Sequence, residues 1–257
     1  MLYVELAAAT NRGRRRRTNE DRALARRLDG GVASDCLLSV ADGVGGAPGG
    51  ATASELAVAS LDSVRTLRGA DPDSVLRELV DQANRSIVLR AQNDPKYTGM
   101  ATTLVVALIV DGWLWIANMG DSRAYLVRDG RIVQLTEDHS LIAERMRAGL
   151  INEEEAIHSP HRNVITRSLG AADAMGADIF NCGPLDDGDV VLLCSDGLYT
   201  MVSEPDIARY AASLLPRDAV RELIRSANAV GGRDNIAVAI ARMTGPNGVA
   251  RGNDGTY

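Results

Sequence analysis

Three stretches of this chain each set a run of apolar residues with strand character directly against an aspartate. In the first, Leu37-Leu38-Ser39-Val40-Ala41 drives into Asp42 and then into the glycine-dense turn Gly43-Val44-Gly45-Gly46. In the second, Val190 to Ser195 leads to Asp196-Gly197; in the third, Asp234-Asn235 stands in front of Ile236 to Ile240. A buried strand is a rigid support, so a carboxylate at its end is held where a site needs a ligand. Neighbouring glycines let the backbone turn sharply and come close to whatever the carboxylate binds. A single Asp-Gly pair is also an ordinary turn signal. Three repeats of the same plan point instead to one shared cluster of oxygen ligands.

Nucleotide-binding readings of the glycine loop fail on its letters. Gly45 to Thr52 reads G-x-x-x-x-G-A-T, with Ala51 where a P-loop places its phosphate-reaching lysine. A dinucleotide fingerprint starting at Gly43 requires glycine at position 48, which is Pro48.

At 257 residues the chain can bury a full core, and it suits one large domain better than two. Residues 1–243 are read as that domain and 244–257, which carry no apolar stripe, as a flexible tail. With 46% apolar and 24% charged residues, and no long unbroken apolar run, no membrane association is expected. Met1 to Thr10 lacks the pattern of a secretion signal. The three cysteines, Cys36, Cys182 and Cys194, form no C-x-x-C pair, so they are read as small core residues in a reducing, cytoplasmic compartment. A net charge of −6, with one Phe and two Trp, argues against nucleic-acid binding.

Along the chain, residues 2–9 read as an opening strand. The run Arg12-Gly13-Arg14-Arg15-Arg16-Arg17-Thr18-Asn19-Glu20-Asp21 follows. Most of its arginines suit a solvated loop or a loose anion-attracting patch. Alternatively, at least one guanidinium forks onto a phosphate, beside carboxylates that face a metal. Helical spacing runs over 50–68, through Leu56, Ala57, Leu61, Val64 and Leu67. A second helix starts at Asp71-Pro72 and carries Leu76, Leu79, Val80, Ala83 and Ile87.

Strands at 103–110, 113–118, 124–127 and 132–135 are separated by Asp111-Gly112, Gly120-Asp121-Ser122 and Asp129-Gly130, which reads as a meander. Asp121 is either a plain turn residue or a further carboxylate at a strand end. Short helical pieces are expected at 141–148 and 153–157, in a region that holds His139, His158 and His161. No histidine pair has zinc-ligand spacing beside a glutamate. Ser203 opens another helix, residues 217–230 form the next, and Gly231-Gly232 stops it. Helices and strands are segregated rather than alternating, so the chain reads as sheets covered by helices rather than as a doubly wound parallel sheet.

The candidate ligands Asp42, Asp196, Asp234, Asp121, Glu20 and Asp21 are all oxygen donors, which suits magnesium or manganese rather than zinc or copper. So many acids in one place need at least two divalent ions, because buried like charges otherwise force protonation. Two such ions can activate a water and clamp a phosphoryl group. No activated Ser or Cys nucleophile accompanies them.

The chain resembles the metal-dependent protein phosphatases of type 2C, and among them the bacterial serine/threonine branch. The motifs that carry the resemblance are Arg16 with Asn19-Glu20-Asp21, Ala41 to Gly46, Thr102-Thr103, Gly120 to Arg123, Leu135 to Ser140, Ile165 to Gly170, Ser195 to Leu198 and Asp234-Asn235. They occur in family order between about residues 5 and 242. The resemblance implies an α+β fold, a four-layer α-β-β-α sandwich whose central β-sandwich has two mainly antiparallel sheets flanked by helices. It implies hydrolysis of phosphoserine and phosphothreonine by in-line attack of a hydroxide bridging two divalent metals, with no covalent phosphoenzyme. In the implied site Asp42 bridges two manganese or magnesium ions, the Gly43 carbonyl binds one of them, and Asp196 and Asp234 complete the ligands of the first ion. Glu20 and Asp21 hold waters of the second ion, Asp121 with Asp196 matches a third, weaker site, and Arg16 matches the phosphate-binding arginine. Phosphorylated proteins, a Ser/Thr kinase among them, are the implied partners of a monomer. Val44 stands where eukaryotic members often carry the histidine taken as general acid, and the arginine run at 14–17 is denser than the family pattern requires.

Overall fold

The computed structural model describes residues 1–44, 49–62, 66–67, 69–171 and 176–246. Its elements in chain order are β1 (Tyr3–Asn11), β2 (Asp21–Arg27), β3 (Cys36–Asp42), α1 (Gly50–Asp62), α2 (Pro72–Asn93), β4 (Leu104–Val110) and β5 (Trp113–Met119). Then come β6 (Arg123–Arg128), β7 (Arg131–Gln134), α3 (Leu141–Arg147), α4 (Glu153–His158), β8 (Asp178–Pro184) and β9 (Val190–Cys194). The chain continues through α5 (Asp196–Tyr199), α6 (Glu204–Ser213), α7 (Pro216–Ala229) and β10 (Ile236–Thr244).

The strands form two five-stranded sheets, ordered β1-β10-β9-β6-β7 and β2-β3-β4-β5-β8, with every pair antiparallel. Between the sheets, Leu38, Val40, Val105, Ala107 and Ile116 pack with Val191, Leu193, Ala237 and Ala239. The outer face of one sheet meets α1 and α2 through Leu37, Val106 and Leu108 against Ala57, Leu61, Leu76 and Ile87. The outer face of the other meets α6 and α7 through Leu192, Val238 and Ile240 against Ile207, Ala211 and Leu223. This is the α-β-β-α sandwich. Its inner strands are covered on both faces, which is why β3 and β9 read as continuous apolar runs rather than alternating ones.

Local signals set the helix starts. Asp71 caps α2 by accepting from the Ser74 N–H, with proline in the first turn, and Ser203 caps α6 in the same way through Asp206 N–H. Helix α1 ends at Asp62, short of the expected 68; residues 63–65 and 68 lie outside the described residues, as do Gly45 and Gly46. Strand β10 ends at Thr244 and the Gly245 N–H donates to Asp187 Oδ1 at 2.6 Å, so the chain is held at least that far. Residues 247–257, the bulk of the expected tail, lie outside the described residues.

The meander is corrected by the pairing. Asp111-Gly112 and Asp129-Gly130 are hairpin turns with positive φ at both residues, as the two-residue primed turn requires. Gly120-Asp121-Ser122 is not a hairpin: Met119 pairs with Leu104 in one sheet, and Arg123 pairs with Cys194 in the other. The three residues carry the chain across the sandwich.

Two strands escape the periodicity. Strand β2 is rich in arginine because Arg22 and Arg26 reach Glu55 and Asp62 of α1. Strand β8 is a bulged edge strand with few apolar residues.

Candidate active site

The antiparallel registers bring the ends of β1, β3, β5 and β9 and the starts of β2, β4, β6 and β10 to the same end of the sandwich. Asp42 is the last residue of β3 and lies directly opposite Asp21, the first of β2. Asp196 opens α5 one residue past Ser195, and Asp234 precedes β10. Asp121 sits in the crossing between the sheets. A cavity of about 240 Å3 at this end is lined by Arg16, Glu20, Asp42, Gly43, Asp121, Asp196 and Asp234, with Val44, Asn163, Ile165 and Asn235. Every residue expected in the site except Asp21 lines it. Asp21 lies beneath, fully buried, against Asp42.

Two close backbone approaches need glycine. A Cβ on Gly197 would stand 1.8 Å from the Asn235 carbonyl oxygen, so only glycine lets α5 start beside Asp234. A Cβ on Gly43 would stand 2.5 Å from the Gly50 carbonyl, the contact that folds the turn after β3 onto α1.

The carboxylates are held by groups that the strand-and-aspartate pattern does not reveal. Thr103 Oγ1 accepts from the Asp42 N–H at 3.0 Å and bonds Ser122 Oγ at 2.8 Å, while the Thr102 hydroxyl donates to the Asp42 carbonyl at 2.8 Å. Ser195 Oγ donates to Asp21 Oδ2 at 2.6 Å and accepts from the Ala237 N–H at 2.9 Å. Asn235 accepts from the Glu20 N–H and donates to the carbonyls of Arg12 and Thr18, tying the arginine loop to the segment before β10. Ser122, Ser195 and Asn235 each stand beside a motif aspartate in the sequence, whereas Thr102 and Thr103 reach Asp42 only through the pairing of β4 with β3.

Around Asp121, the Gly120 N–H donates to His139 Nδ1 at 3.0 Å, while His139 Nε2 faces both Asp178 Oδ2 at 2.9 Å and the Arg167 guanidinium at 2.8 Å. Burial holds the His139 pKa below its ordinary value. Tyr199 donates to the Asp121 carbonyl at 3.1 Å. His139 is therefore a support behind the sheet crossing, and His158 and His161 are exposed; none of the three lines the cavity.

Electrostatics mark the cluster. Burial, and then the Asp196 charge against the opposing Ser195 bond, pushes the Asp21 carboxyl up to about 7. Burial and the Asp196 charge push Asp121 up to about 7, and burial with the Asp234 charge pushes Asp196 up to about 6. Asp42 is raised well above the carboxylate range by burial and by Asp21, Asp196, Asp121 and Asp234. Arg16 pairs with Asp234 at 2.6 Å, which raises its own pKa.

The donor set fits hard divalent cations. It consists of oxygens crowded beyond what one arginine can balance, and Asp21 Oδ1 is buried with no hydrogen-bond partner. Among the described residues, no three acidic, histidine or cysteine side chains are already drawn together as a ligand shell. Their oxygens are engaged instead by Ser195, by Arg16 and by one another.

The Ser195→Ala variant leaves Asp21 Oδ2 and the Ala237 N–H unpaired in the dry interior. It is expected to lose about 2–4 kcal/mol of stability. Urea denaturation in chelator with an unchanged m-value measures it, and a loss below ~0.5 kcal/mol would mean that the bond to Asp21 contributes little.

The family model described as protein phosphatase 2C matches residues 10–236. The serine/threonine phosphatase stp of Listeria welshimeri serovar 6b is 39% identical over 243 residues, covering 90% of this chain and 92% of that protein. The structure of the Mycobacterium tuberculosis serine/threonine phosphatase PstP/Ppp superposes with a TM-score of 0.85 at 33% identity, covering 94% of this chain and 99% of that one. A structure of the PstP catalytic domain in complex with two manganese ions superposes with a TM-score of 0.84 at 32% identity, covering 95% of this chain and all of that one.

Proposed function

Because the chain belongs to the protein phosphatase 2C family, in its bacterial serine/threonine branch, we infer that it is a metal-dependent serine/threonine protein phosphatase. The observation that carries the chemistry is the lining of the cavity: carboxylates and one guanidinium, with no Ser, Thr, Cys or His among the described residues. That lining offers no hydroxyl, thiol or imidazole to take up the phosphoryl group, and its carboxylates would be engaged as cation ligands, so transfer is read as going directly to water.

Asp42, Asp196 and Asp234 would hold one manganese or magnesium ion; Asp42, with Glu20 and Asp21 through waters, would hold a second, and the Gly43 carbonyl would bind one of the two. Asp121 with Asp196 would hold a third. When bound, such ions acidify a water for attack and offset the charge of the phosphoryl oxygens. Arg16, fixed at the cavity by Asp234, presents its fork to the remaining phosphoryl oxygens. Thr103, Ser122 and Ser195 hold the acids in place. Val44 lines the cavity but offers no acidic proton, and none of the three histidines lines it.

Residues 1–243 act as one catalytic domain, on phosphoproteins that include a Ser/Thr kinase. A monomer in the cytoplasm suits the three free cysteines. No helix among the described residues is long and apolar enough to cross a membrane.

The test is hydrolysis of an aryl phosphate and of a phosphoserine peptide in manganese, abolished by excess chelator. Full activity in chelator overturns the reading. Arg16→Ala is expected to raise KM for the phosphopeptide roughly tenfold to a hundredfold, as loss of a charged hydrogen bond should, with a smaller fall in kcat. An unchanged KM removes Arg16 from phosphate binding.

A further inference from the structure

The loop from Arg12 to Thr18 is dense in positive charge and is also clamped. The N–H groups of Arg14 and Arg15 both donate to the Gly232 carbonyl, at 2.8 and 3.2 Å. Asn235 Nδ2 donates to the carbonyls at both ends of the loop, Arg12 and Thr18. Gly13 approaches so closely that a Cβ there would stand 2.1 Å from the Asp234 carbonyl oxygen. Of the five arginines only Arg16 is directed to an acid, Asp234. Arg12, Arg14, Arg15 and Arg17 are exposed, and among the described residues no carboxylate pairs with any of them. The Arg12 guanidinium reaches only the Arg17 carbonyl, at 3.4 Å.

Elsewhere exposed arginines are either paired or stand singly: Arg131, Arg145, Arg162 and Arg217 are unpaired among the described residues, each without an unpaired arginine beside it in the chain. Arg77, Arg90, Arg209 and Arg225 each pair with an acid three or four residues away on their own helix or at its end. The protein as a whole is acidic, at −6. What sets Arg14, Arg15 and Arg17 apart is therefore that they are clustered, on a clamped loop that also carries the cavity-lining Arg16. Arg233, next to Asp234 on the clamping segment, is also exposed and unpaired among the described residues. It lines a larger groove of about 840 Å3 that shares Asp121, Asp196 and Asp234 with the catalytic cavity. Like charges held on a fixed backbone repel one another, and the arrangement is relieved when an anion lies across it.

We propose that Arg14, Arg15, Arg17 and Arg233 form a rim that selects substrates by the acidic side chains flanking their phosphorylated residue. This rests on the function inferred above and names the substrate class within it. The occupant is a peptide segment bearing Asp or Glu beside the phosphoserine, because planar guanidiniums take carboxylates through paired hydrogen bonds. The rim is continuous with Arg16, so one extended segment can present its phosphate to the cavity and its flanks to the rim.

The test uses the full chain and two phosphoserine peptides of equal length, one flanked by Asp and Glu, the other by Asn and Gln. Affinity is read by fluorescence anisotropy in chelator, where no turnover occurs, and kcat/KM in manganese. The wild-type protein is expected to favour the acidic peptide by about tenfold in both, the sum of a few exposed ion pairs, and to lose the preference near molar salt. Arg15→Gln/Arg17→Gln/Arg233→Gln is expected to bring the ratio below about twofold while kcat/KM for an aryl phosphate stays unchanged, and the matching triple Lys variant to retain most of the preference. Equal affinities for the two peptides, or a preference that survives the Gln variant, overturn the proposal. So does binding to phosphatidylglycerol vesicles that the Gln variant loses without any peptide preference, which would assign the rim to a membrane surface. If no peptide is hydrolysed but the binding preference is present, the rim stands and the inferred activity fails.

Discussion

Asp42→Asn is expected to lower kcat/KM for an aryl phosphate by about a thousandfold in manganese and, in the same protein, to raise the melting temperature in excess chelator. The two effects have opposite signs for one reason. Asp42 is surrounded by Asp21, Asp196, Asp121 and Asp234, and each of them disfavours its ionised form. A neutral asparagine of the same shape removes the cost of burying this acid or of keeping it protonated among the others, so the protein without metal becomes more stable, by ~2–4 °C for each kcal/mol gained in a chain of this size. Under the inferred function the same change removes a carboxylate that would serve as a cation ligand, and activity falls. A buried acid with a purely structural role behaves otherwise: its replacement destabilises. Kinetics across a manganese titration, with thermal denaturation in chelator beside it, separate the two. Retained activity together with a lowered melting temperature would exclude Asp42 from the metal site.

In chelator the protein is expected to lose stability as the pH rises from about 4 through 7, and saturating manganese is expected to abolish most of that loss. The sign follows from the direction of the shifts. The carboxyls of Asp21 and Asp121 are raised from an ordinary value of 3.8 to about 7. Below pH 4 both folded and unfolded chains hold these protons, and stability is unaffected. Above it the unfolded chain releases them while the folded one keeps them, so each further pH unit favours unfolding until the folded groups ionise near 7.

At about 1.4 kcal/mol per tenfold difference in proton affinity, the two groups together amount to several kcal/mol. Asp196, raised to about 6, adds to the same trend. Cations that replace the protons remove the penalty, and each ion at a hundredfold over its Kd adds about 2.7 kcal/mol. The melting temperature at pH 7.5 should then rise by roughly 5–10 °C for one ion and more for two. Equal stability at pH 5 and 7.5 in chelator, or a melting temperature indifferent to manganese, would show that these acids are not a metal cluster.

Some of this architecture is legible from neighbours in the chain. Asp71-Pro72 starts α2, Gly231-Gly232 stops α7, and the Asp-Gly pairs at 111 and 129 turn hairpins, because caps and positive-φ turns are set within four residues. The apolar runs before Asp42 and Asp196 mark strands buried on both faces. The identity of the ligands, hard oxygens on strand ends, follows from residue type.

The partners of those elements are a different matter. Gly120-Asp121-Ser122 has the letters of a tight turn, yet it carries the chain from one sheet to the other, since Arg123 pairs with Cys194 rather than folding back on β5. Strand β2 is disguised by arginines that answer acids on α1. Likewise the hydroxyls of Thr103 and Ser195 gain their role only when β4 lies beside β3 and β9 beside β10.

Which five-strand order forms, and hence which aspartates meet, depends on contacts between residues as far apart as Tyr3 and Thr244. The sequence by itself therefore determined the chemistry available and the local elements that carry it. Only the tertiary structure decided that Asp42, Asp196 and Asp234 face one cavity and that Arg16 answers Asp234, because strand pairing is settled by burial on two faces at once and no short stretch of the chain encodes it.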